Sequence, residues 1–347
     1  MMTRASFIRS DVYSPVVIWS CALPRPPVPT PRVLRVVEGI WARMVANRKM
    51  AGPILSQALR EARTLGSKER PVAGDVLTGL IRHERALARI DPDPLCAWLR
   101  LANDGPPDLP DPPDAYAIAL SLPDDLANEW WSRLGPARAI ELARTLAGRA
   151  PFTLRVLREP FEIPVPYRRV GDTLYPEKRF NLKEGALLVQ DRGSQHIAEV
   201  AFPGRGGTVL DLCAGAGGKS LAMAAMGAKV QAWDVRTRAL DELAKRAAAA
   251  RLSIYVAPPK GRYDVVLVDA PCSETGVLRR HPENRWKLQF PTDAQRRLVE
   301  QARGLGDRVV YATCSLAMRE NEEIVPGGET LWPGESEGYY LAGARDV

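Results

Sequence analysis

Two cysteines and an aspartate stand where runs of strand-forming residues end, and side chains of these types can do covalent chemistry. Residues 265–268 are consecutive β-favouring apolar residues that stop at Asp269, with Cys272 shortly after it. A second apolar run, 309–312, stops in the same way before Cys314. A thiolate can add to an electron-poor ring carbon, whereas a lone cysteine is most often a small buried apolar residue. Two thiols at the ends of neighbouring strands favour the chemical interpretation.

The elements that must position these residues are the strands of a predicted parallel sheet. Strands and helices alternate here: the strands are 208–211, 229–234, 264–269 and 308–313, and the helices are 219–226, 238–250 and 292–304. This alternation is typical of a doubly wound sheet, so residues 191–347 are predicted to form a Rossmann-like α/β domain. Ligands of such sheets bind outside the carboxyl ends of the strands, where Asp269, Cys272 and Cys314 are expected.

A glycine-rich segment follows the first of these strands and predicts a nucleoside-binding loop, because glycines let the backbone approach a ligand at the start of the next helix. A P-loop is excluded because Cys213 occupies the position of its first glycine, and the dinucleotide fingerprint fails at Ser220. What remains is a nucleoside without a phosphate requirement, of which S-adenosylmethionine is the common one. We expect the cofactor to be bound by loop residues Cys213, Ala214, Gly215, Ala216, Gly217, Gly218 and Lys219.

Two aspartates complete the predicted cofactor site. Asp234 ends the second strand and can accept hydrogen bonds from both hydroxyls of a ribose. Its alternative role is an N-cap for the next helix, and we favour the ribose. Asp269 is predicted to serve both the cofactor and the reacting base. Lys219 is expected to steer the electrostatics of the pocket, although a lysine at a helix start can also face solvent.

Composition excludes several classes of protein. The five cysteines are scattered without a C-x-x-C pair and there are only three histidines, which argues against a disulfide framework and against a metal site. No apolar run approaches a membrane span, and we expect a cytoplasmic monomer. The formal net charge of +7 gives weak support for a polyanionic partner such as RNA.

Four segments are predicted along the chain. Residues 1–30 indicate a disordered Pro-rich leader rather than a signal peptide, and 31–150 show the 3.6-residue periodicity of an all-α domain, whose last helices are predicted at 125–134 and 136–147. Residues 151–190, with strands predicted at 152–157 and 167–174, are predicted to form a small α+β module before the main domain at 191–347. Arginines and lysines cover the exposed helix faces of 31–150, and this pattern fits a solvated face and an RNA-backbone surface equally well.

Two thiols and an acid would suit chemistry at a cytosine. Cytosine C5 becomes a nucleophile only after something adds at C6, so one thiol would add there and the ring would take a methyl group at C5. A base would then remove the C5 proton and expel the enzyme. An acid at N3, for which Asp269 is the candidate, would stabilise the electron density that the addition produces.

The sequence resembles the Sun/RsmB-type RNA (cytosine-5) methyltransferases. The resemblance rests on DLCAGAGGKS at 211–220, DAPCSETG at 269–276 with RRHP at 279–282, and YATCS at 311–315 followed by ENE at 320–322. It implies that Cys314 attacks C6, that Cys272 helps to release the product, and that the substrate is RNA, most often ribosomal RNA. Residues 31–150 resemble the NusB-like RNA-binding domain of the ribosomal-RNA members, and 151–190 would be an RNA-binding module.

Two departures from the family pattern leave alternatives open. Glu274 replaces a usual glycine beside Cys272, and the third strand, near 253–259, lacks the acid that normally faces the adenine. One alternative is therefore a non-catalytic RNA-binding or ribosome-assembly protein with a degenerate cofactor site. Another alternative is the same chemistry on transfer RNA.

Overall fold

The structure, a computed structural model, describes residues 26, 28–105, 109–182 and 185–344. Of the predicted leader, residues 1–25 and 27 lie outside the described residues. The chain divides into two compact units. Unit 1 is Met1–Arg149 with Val277–Leu288, and unit 2 is Ala150–Gly276 with Gln289–Val347. In the described part of both units, no helix combines the length and the apolar character that a bilayer requires.

In the described residues up to Arg149, every regular element of unit 1 is a helix. The first helix begins with a cap, because the Thr30 hydroxyl accepts a hydrogen bond from the Val33 backbone N–H at 3.3 Å and Pro31 opens the first turn. The α-helices of the described residues are α1 Pro31–Ala46, α2 Ala51–Glu61, α3 Glu69–Arg82, α4 Glu84–Leu87, α5 Pro94–Asp104, α6 Asp114–Leu120 and α7 Asp124–Ala147.

Two details of unit 1 differ from the sequence prediction. Helix α6 lies just after the Pro-rich stretch 103–113, and the sequence pattern did not indicate it; residues 106–108 of that stretch lie outside the described residues. The helices predicted at 125–134 and 136–147 form one element, α7, kinked at Gly135, whose φ is +69°, before Pro136. The likeness of this unit to NusB stays a prediction.

A short segment from the middle of the chain completes unit 1. Residues 277–288 follow the Cys272 loop in sequence and contain the 3₁₀ turn Pro282–Lys287. The Trp286 ring lies 5.5 Å from that of Trp41, and its Nε1 donates to Glu84 Oε2 at 2.6 Å. No sequence pattern indicated that this segment packs with the N-terminal helices.

Unit 2 begins with a small antiparallel sheet. Its strand order is β2-β3-β1-β4, and the strands are β1 Leu154–Val156, β2 Tyr167–Val170, β3 Thr173–Pro176 and β4 Leu187–Val189. The single strand predicted at 167–174 is wrong: it is a hairpin that turns at Gly171, where φ is +56°. The helix implied by an α+β module is also absent from 151–182 and 185–190, where the regular elements are strands.

The large sheet of unit 2 has seven described strands in the order β10-β11-β9-β8-β5-β6-β7. Strands β5 to β9 are parallel, whereas β11 pairs antiparallel with β9 and β10 pairs antiparallel with β11. The strands are β5 Thr208–Asp211, β6 Lys229–Ala232, β7 Ile254–Val256, β8 Tyr263–Asp269, β9 Gly306–Thr313, β10 Glu329–Leu331 and β11 Tyr339–Ala344. Its helices are α8 Arg192–Val200, α9 Gly218–Met226, α10 Thr237–Ala250 and α11 Thr292–Arg303.

Helices cover both faces of this sheet, which confirms the predicted doubly wound architecture. Alternate residues of β8 point to opposite faces. Val265 belongs to the core shared with Ile197 of α8, whereas Val266 belongs to the core shared with Val299 of α11. Burial on both faces explains why the central strand is an unbroken apolar run.

Candidate functional site

The loop after β5 can take its path only with glycine at two positions. Gly215 and Gly217 have φ values of +52° and +81°, the left-handed region that L residues with a side chain avoid. A Cβ on Gly217 would also lie 2.4 Å from Leu243 Cγ. The loop therefore turns tightly into α9, which starts at Gly218 with its free backbone N–H groups.

Asp211, at the end of β5, is a buried carboxyl group at the base of this loop. Its Oδ2 accepts from the Ser220 hydroxyl at 2.6 Å, whereas Oδ1 has no hydrogen-bond partner. Burial, together with the negative charge of Asp269, raises the pKa of Asp211 to about 7. The sequence reasoning had given this residue no role of its own.

Lys219 and Asp269 form an ion pair behind the loop. Lys219 Nζ lies 2.6 Å from Asp269 Oδ2, and the lysine side chain is only 11% exposed. Burial alone would lower the pKa of Lys219, but the negative charges of Asp269 and Asp211 outweigh it, and the pKa is raised. Lys219 is therefore a fixed positive charge inside the site, not a solvent-facing lysine.

The two predicted thiols are neighbours in space. Cys272 Sγ lies 3.4 Å from Cys314 Sγ, which places the ends of β8 and β9 side by side. The hydrogen bond to Cys314 raises the pKa of the Cys272 thiol well above its usual value, and burial and the charge of Glu320 act in the same direction. Cys272 is therefore held in its protonated form, as a hydrogen-bonding partner for the other thiol.

One cleft of about 850 Å³ brings these groups together, a volume that suits a nucleoside-sized ligand. Its wall contains eight of the predicted site residues: Cys213, Ala214, Gly215, Ala216, Asp234, Asp269, Cys272 and Cys314. Gly217, Gly218 and Lys219 do not line the cleft. The two glycines shape the turn into α9, and Lys219 holds Asp269 through their ion pair. The wall also contains residues that sequence reasoning did not assign to it, namely Trp233, Val235, Arg236, Ala294, Arg297, Leu298 and Gln301.

Comparisons with known proteins agree with this geometry. Residues 200–327 match the model of the family described as 16S rRNA methyltransferase RsmB/F. A protein of Thermus thermophilus named ribosomal RNA small subunit methyltransferase B is 33% identical over 225 residues, which cover 60% of this chain and 54% of that protein. Residues 200–327, which contain the cleft, are therefore similar to the Sun/RsmB methyltransferases. The chain spans about half the length of the curated relatives it matches.

Solved structures share the fold of this chain. The crystal structure of PH0851 superposes with a TM-score of 0.69 at 19% identity, over 92% of this chain and 99% of that one. A methyltransferase homolog protein from Pyrococcus horikoshii gives a TM-score of 0.57 at 18% identity, over 67% and 98%. At these identities the likeness concerns the fold.

A buried polar network holds the two thiol loops of this site together. Glu320 accepts hydrogen bonds from the Ser273 backbone N–H at 2.9 Å and from Gln295 Nε2 at 3.1 Å. The Ser273 and Ser315 hydroxyls lie 3.1 Å apart, so the residues that follow Cys272 and Cys314 are joined directly. The motif matches contained Ser273, Ser315 and Glu320, but spacing alone did not show that they contact one another.

Asp234 is already hydrogen-bonded within the chain. Its Oδ2 accepts from the Gly215 N–H at 2.8 Å, and Arg236 donates to both carboxylate oxygens at 3.0 Å. Burial would raise the pKa of Asp234, but these hydrogen bonds outweigh it and the pKa is lowered. A ribose can use this carboxylate only if the Arg236 side chain, which is 70% exposed, turns away.

No group of three or more metal-binding side chains converges anywhere in the described ranges of either unit. Cys213 lines the cleft as a largely buried thiol, and burial raises its pKa. Its contribution is therefore an apolar wall, not a nucleophile or a metal ligand.

Proposed function

We propose that this protein is an S-adenosylmethionine-dependent RNA (cytosine-5) methyltransferase and that its substrate is ribosomal RNA. The observation that carries the proposal is the pair of thiols 3.4 Å apart, at the ends of two parallel strands and in one cleft with Asp269 and the glycine loop. The matched relative in Thermus thermophilus, named as a ribosomal RNA small subunit methyltransferase, supports the choice of RNA.

The cleft fits S-adenosylmethionine after one side-chain movement. Loop residues 213–216 line the cleft, and their backbone would hold the methionine end of the ligand. Asp234 would hold the ribose once Arg236 releases it, and Asp269 would lie close to the reacting end. When bound, the cofactor supplies an electrophilic methyl group.

The chain's own residues account for the remaining steps. Cys314 attacks C6 as a thiolate, forming an S–C6 bond and moving electron density toward C5 and N3 of the ring. Lys219, whose pKa the charge of Cys314 helps to raise, stabilises that thiolate in return. Asp269, held by Lys219, orders the base at its N3 edge.

Cys272 acts in the release of the product. After C5 has gained the methyl group, a base takes the C5 proton, the C5–C6 double bond re-forms and the S–C6 bond breaks to return the Cys314 thiolate. The Cys272 thiol, which keeps its proton and lies 3.4 Å away, donates a hydrogen bond to the departing sulfur. Without it, the thiolate is a poorer leaving group and the adduct persists.

RNA is proposed to contact basic surfaces of both units, each of them considered alone. Unit 1 displays arginines and lysines on exposed faces of α1 to α3. In unit 2, strand β2 is exposed along its whole length, and the Arg168 guanidinium lies 4.0 Å from the centre of the Tyr175 ring. Such cation–aromatic surfaces suit single-stranded RNA, which matches a target base presented outside a stack.

Covalent trapping tests the proposal. Protein, labelled S-adenosylmethionine and ribosomal RNA are mixed, and methyl transfer and protein–RNA adducts are measured. Cys272→Ala should accumulate the adduct, and Cys314→Ala should abolish both adduct and methylation. Cys96→Ala, which removes an exposed thiol of unit 1, is the matched control and should behave as wild type. If the wild type binds the cofactor but labels no cytosine C5, the proposal is wrong.

One observation favours a second candidate, a non-catalytic RNA-binding or ribosome-assembly protein with a degenerate cofactor site. Both oxygens of Asp234 are satisfied by Arg236, so the cleft contains an internal competitor for the ribose. Calorimetry with S-adenosylhomocysteine separates the two, because the non-catalytic candidate requires that no binding be seen. Mapping of the methylated base would distinguish ribosomal from transfer RNA as the substrate.

A further inference from the structure

The connection from β7 to β8 is unusually short for this fold. The six residues 257–262 must pass two strands, β6 and β5, before β8 begins, and they contain no helix. Parallel strands are normally joined by a crossover of a dozen residues or more, usually with a helix. Gln231 Nε2 donates to the backbone oxygens of Ala257 and Pro258, at 3.2 and 2.8 Å, and ties the connection to the sheet.

The missing crossover helix leaves α11 as a wall of the cleft. No residue of 254–262 lines the cleft, whereas Ala294, Arg297, Leu298 and Gln301 do. These four positions have the three- and four-residue spacing of one helix face. One whole face of α11 is thus open to the ligand.

The direction of α11 orders this wall from the reacting end to the far end. Gln295 Nε2 donates to the Pro271 carbonyl at 2.9 Å, which fixes the start of the helix beside Cys272. Gln301 is six residues further on, about 9 Å along the helix axis at a rise of about 1.5 Å per residue. A nucleoside whose reacting group lies at the thiols extends over a comparable length.

The polar side chains on this face of α11 are Arg297 and Gln301, of which Gln301 lies at the far end. Neither Arg297 nor Gln301 makes a hydrogen bond or an ion pair with any residue in the described part of the chain. Ala294 and Leu298 make the rest of this face apolar, whereas the methionine half of the cofactor carries an ammonium, a carboxylate and a sulfonium. The neutral base is the part of the ligand that suits this wall.

We propose that Gln301 recognises the adenine of the cofactor by accepting a hydrogen bond from its exocyclic amino group. Its amide N–H can donate to the adjoining ring nitrogen, the paired arrangement that glutamine makes with adenine elsewhere. This inference rests on the proposed function. It also accounts for the acid that is missing after β7, because the base is read from α11 and not from the end of the third strand.

A ligand-and-variant cycle tests the assignment. Binding of S-adenosylhomocysteine and of its purine analogue, which lacks the 6-amino group, is measured by calorimetry for wild type and Gln301→Leu. Wild type should bind the amino-bearing ligand about tenfold more tightly, as expected for one hydrogen bond. Gln301→Leu should bind both ligands with equal affinity. Glu300→Leu, the neighbouring exposed position that does not line the cleft, is the matched control and should keep the wild-type preference.

The outcomes separate this inference from the proposed function. If the wild type binds neither ligand, the cofactor assignment fails, and the role of Gln301 fails with it. If the wild type binds S-adenosylhomocysteine but Gln301→Leu keeps the full preference for the amino group, Gln301 does not read the base although the methyltransferase proposal stands. Equal binding of both ligands by the wild type also overturns the inference.

Discussion

Replacement of Asp211 by asparagine should remove a pH dependence of stability that is built into the cleft. The carboxyl group is almost fully buried, its Oδ1 has no partner, and its pKa rises from the usual 3.8 to about 7. Because the folded state binds the proton more tightly than the unfolded chain, the stability that Asp211 contributes is fully present below pH 3.8. It is lost as pH rises through about 7.

The size of this effect follows from the shift. At about 1.4 kcal/mol per pKa unit, the free energy of unfolding of wild type should fall by about 3 kcal/mol relative to Asp211→Asn between about pH 5 and about pH 8. Asparagine has no charge to bury and its oxygen can still accept from Ser220. The variant should therefore be the more stable protein at alkaline pH, although it loses a charged group.

Urea unfolding followed by tryptophan fluorescence at a series of pH values measures this difference. Asp264→Asn is the control, because hydrogen bonds from Thr208 lower the pKa of Asp264. The stability from Asp264 is present above the usual aspartate pKa and lost as pH falls, the opposite sign. Parallel pH profiles for wild type and Asp211→Asn would refute the reasoning.

Two further predictions concern side chains that hold the site in place. Glu320→Ala should lower the free energy of unfolding by about 3–5 kcal/mol and reduce adduct formation, because the buried donors of Ser273 and Gln295 lose their acceptor. A loss below about 1 kcal/mol in urea unfolding would contradict this. Arg236→Ala should bind S-adenosylhomocysteine about two- to fivefold more tightly, because the ribose no longer has to displace the Arg236 side chain from its partly exposed ion pair with Asp234. Weaker binding in calorimetry would show that Arg236 contacts the ligand instead.

Much of unit 2 follows from local sequence signals. The apolar run at 265–268 and the alternation of strands with helices predicted the parallel sheet, because burial on both faces leaves no polar position in a central strand. The glycine loop was predictable for a similar reason, since Gly215 and Gly217 adopt backbone angles that other residues avoid. Strand ends then place Cys272 and Cys314 at one edge of the sheet.

The parts that escaped prediction depend on contacts between distant segments. Arg236 lies only two positions from Asp234, yet its occupation of that carboxylate is visible only in three dimensions. Gln301 lines the cleft where no crossover helix joins β7 to β8. The helical pattern of α11 in the sequence does not reveal which face of that helix is left uncovered. The hairpin at Gly171 was missed because both of its strands carry similar β-favouring residues.

The segment 277–288 also has a consequence for how the chain is made. Trp286 packs on Trp41 and donates to Glu84, so the helices of unit 1 lack these partners until synthesis has passed residue 288. By then strands β1 to β8 of unit 2 have already been synthesised. Domains of a nascent chain usually fold one after another from the N-terminus. Here the first unit to be synthesised is completed only after much of the second has emerged, so a fragment that stops at Arg149 would leave Trp41 without its aromatic partner.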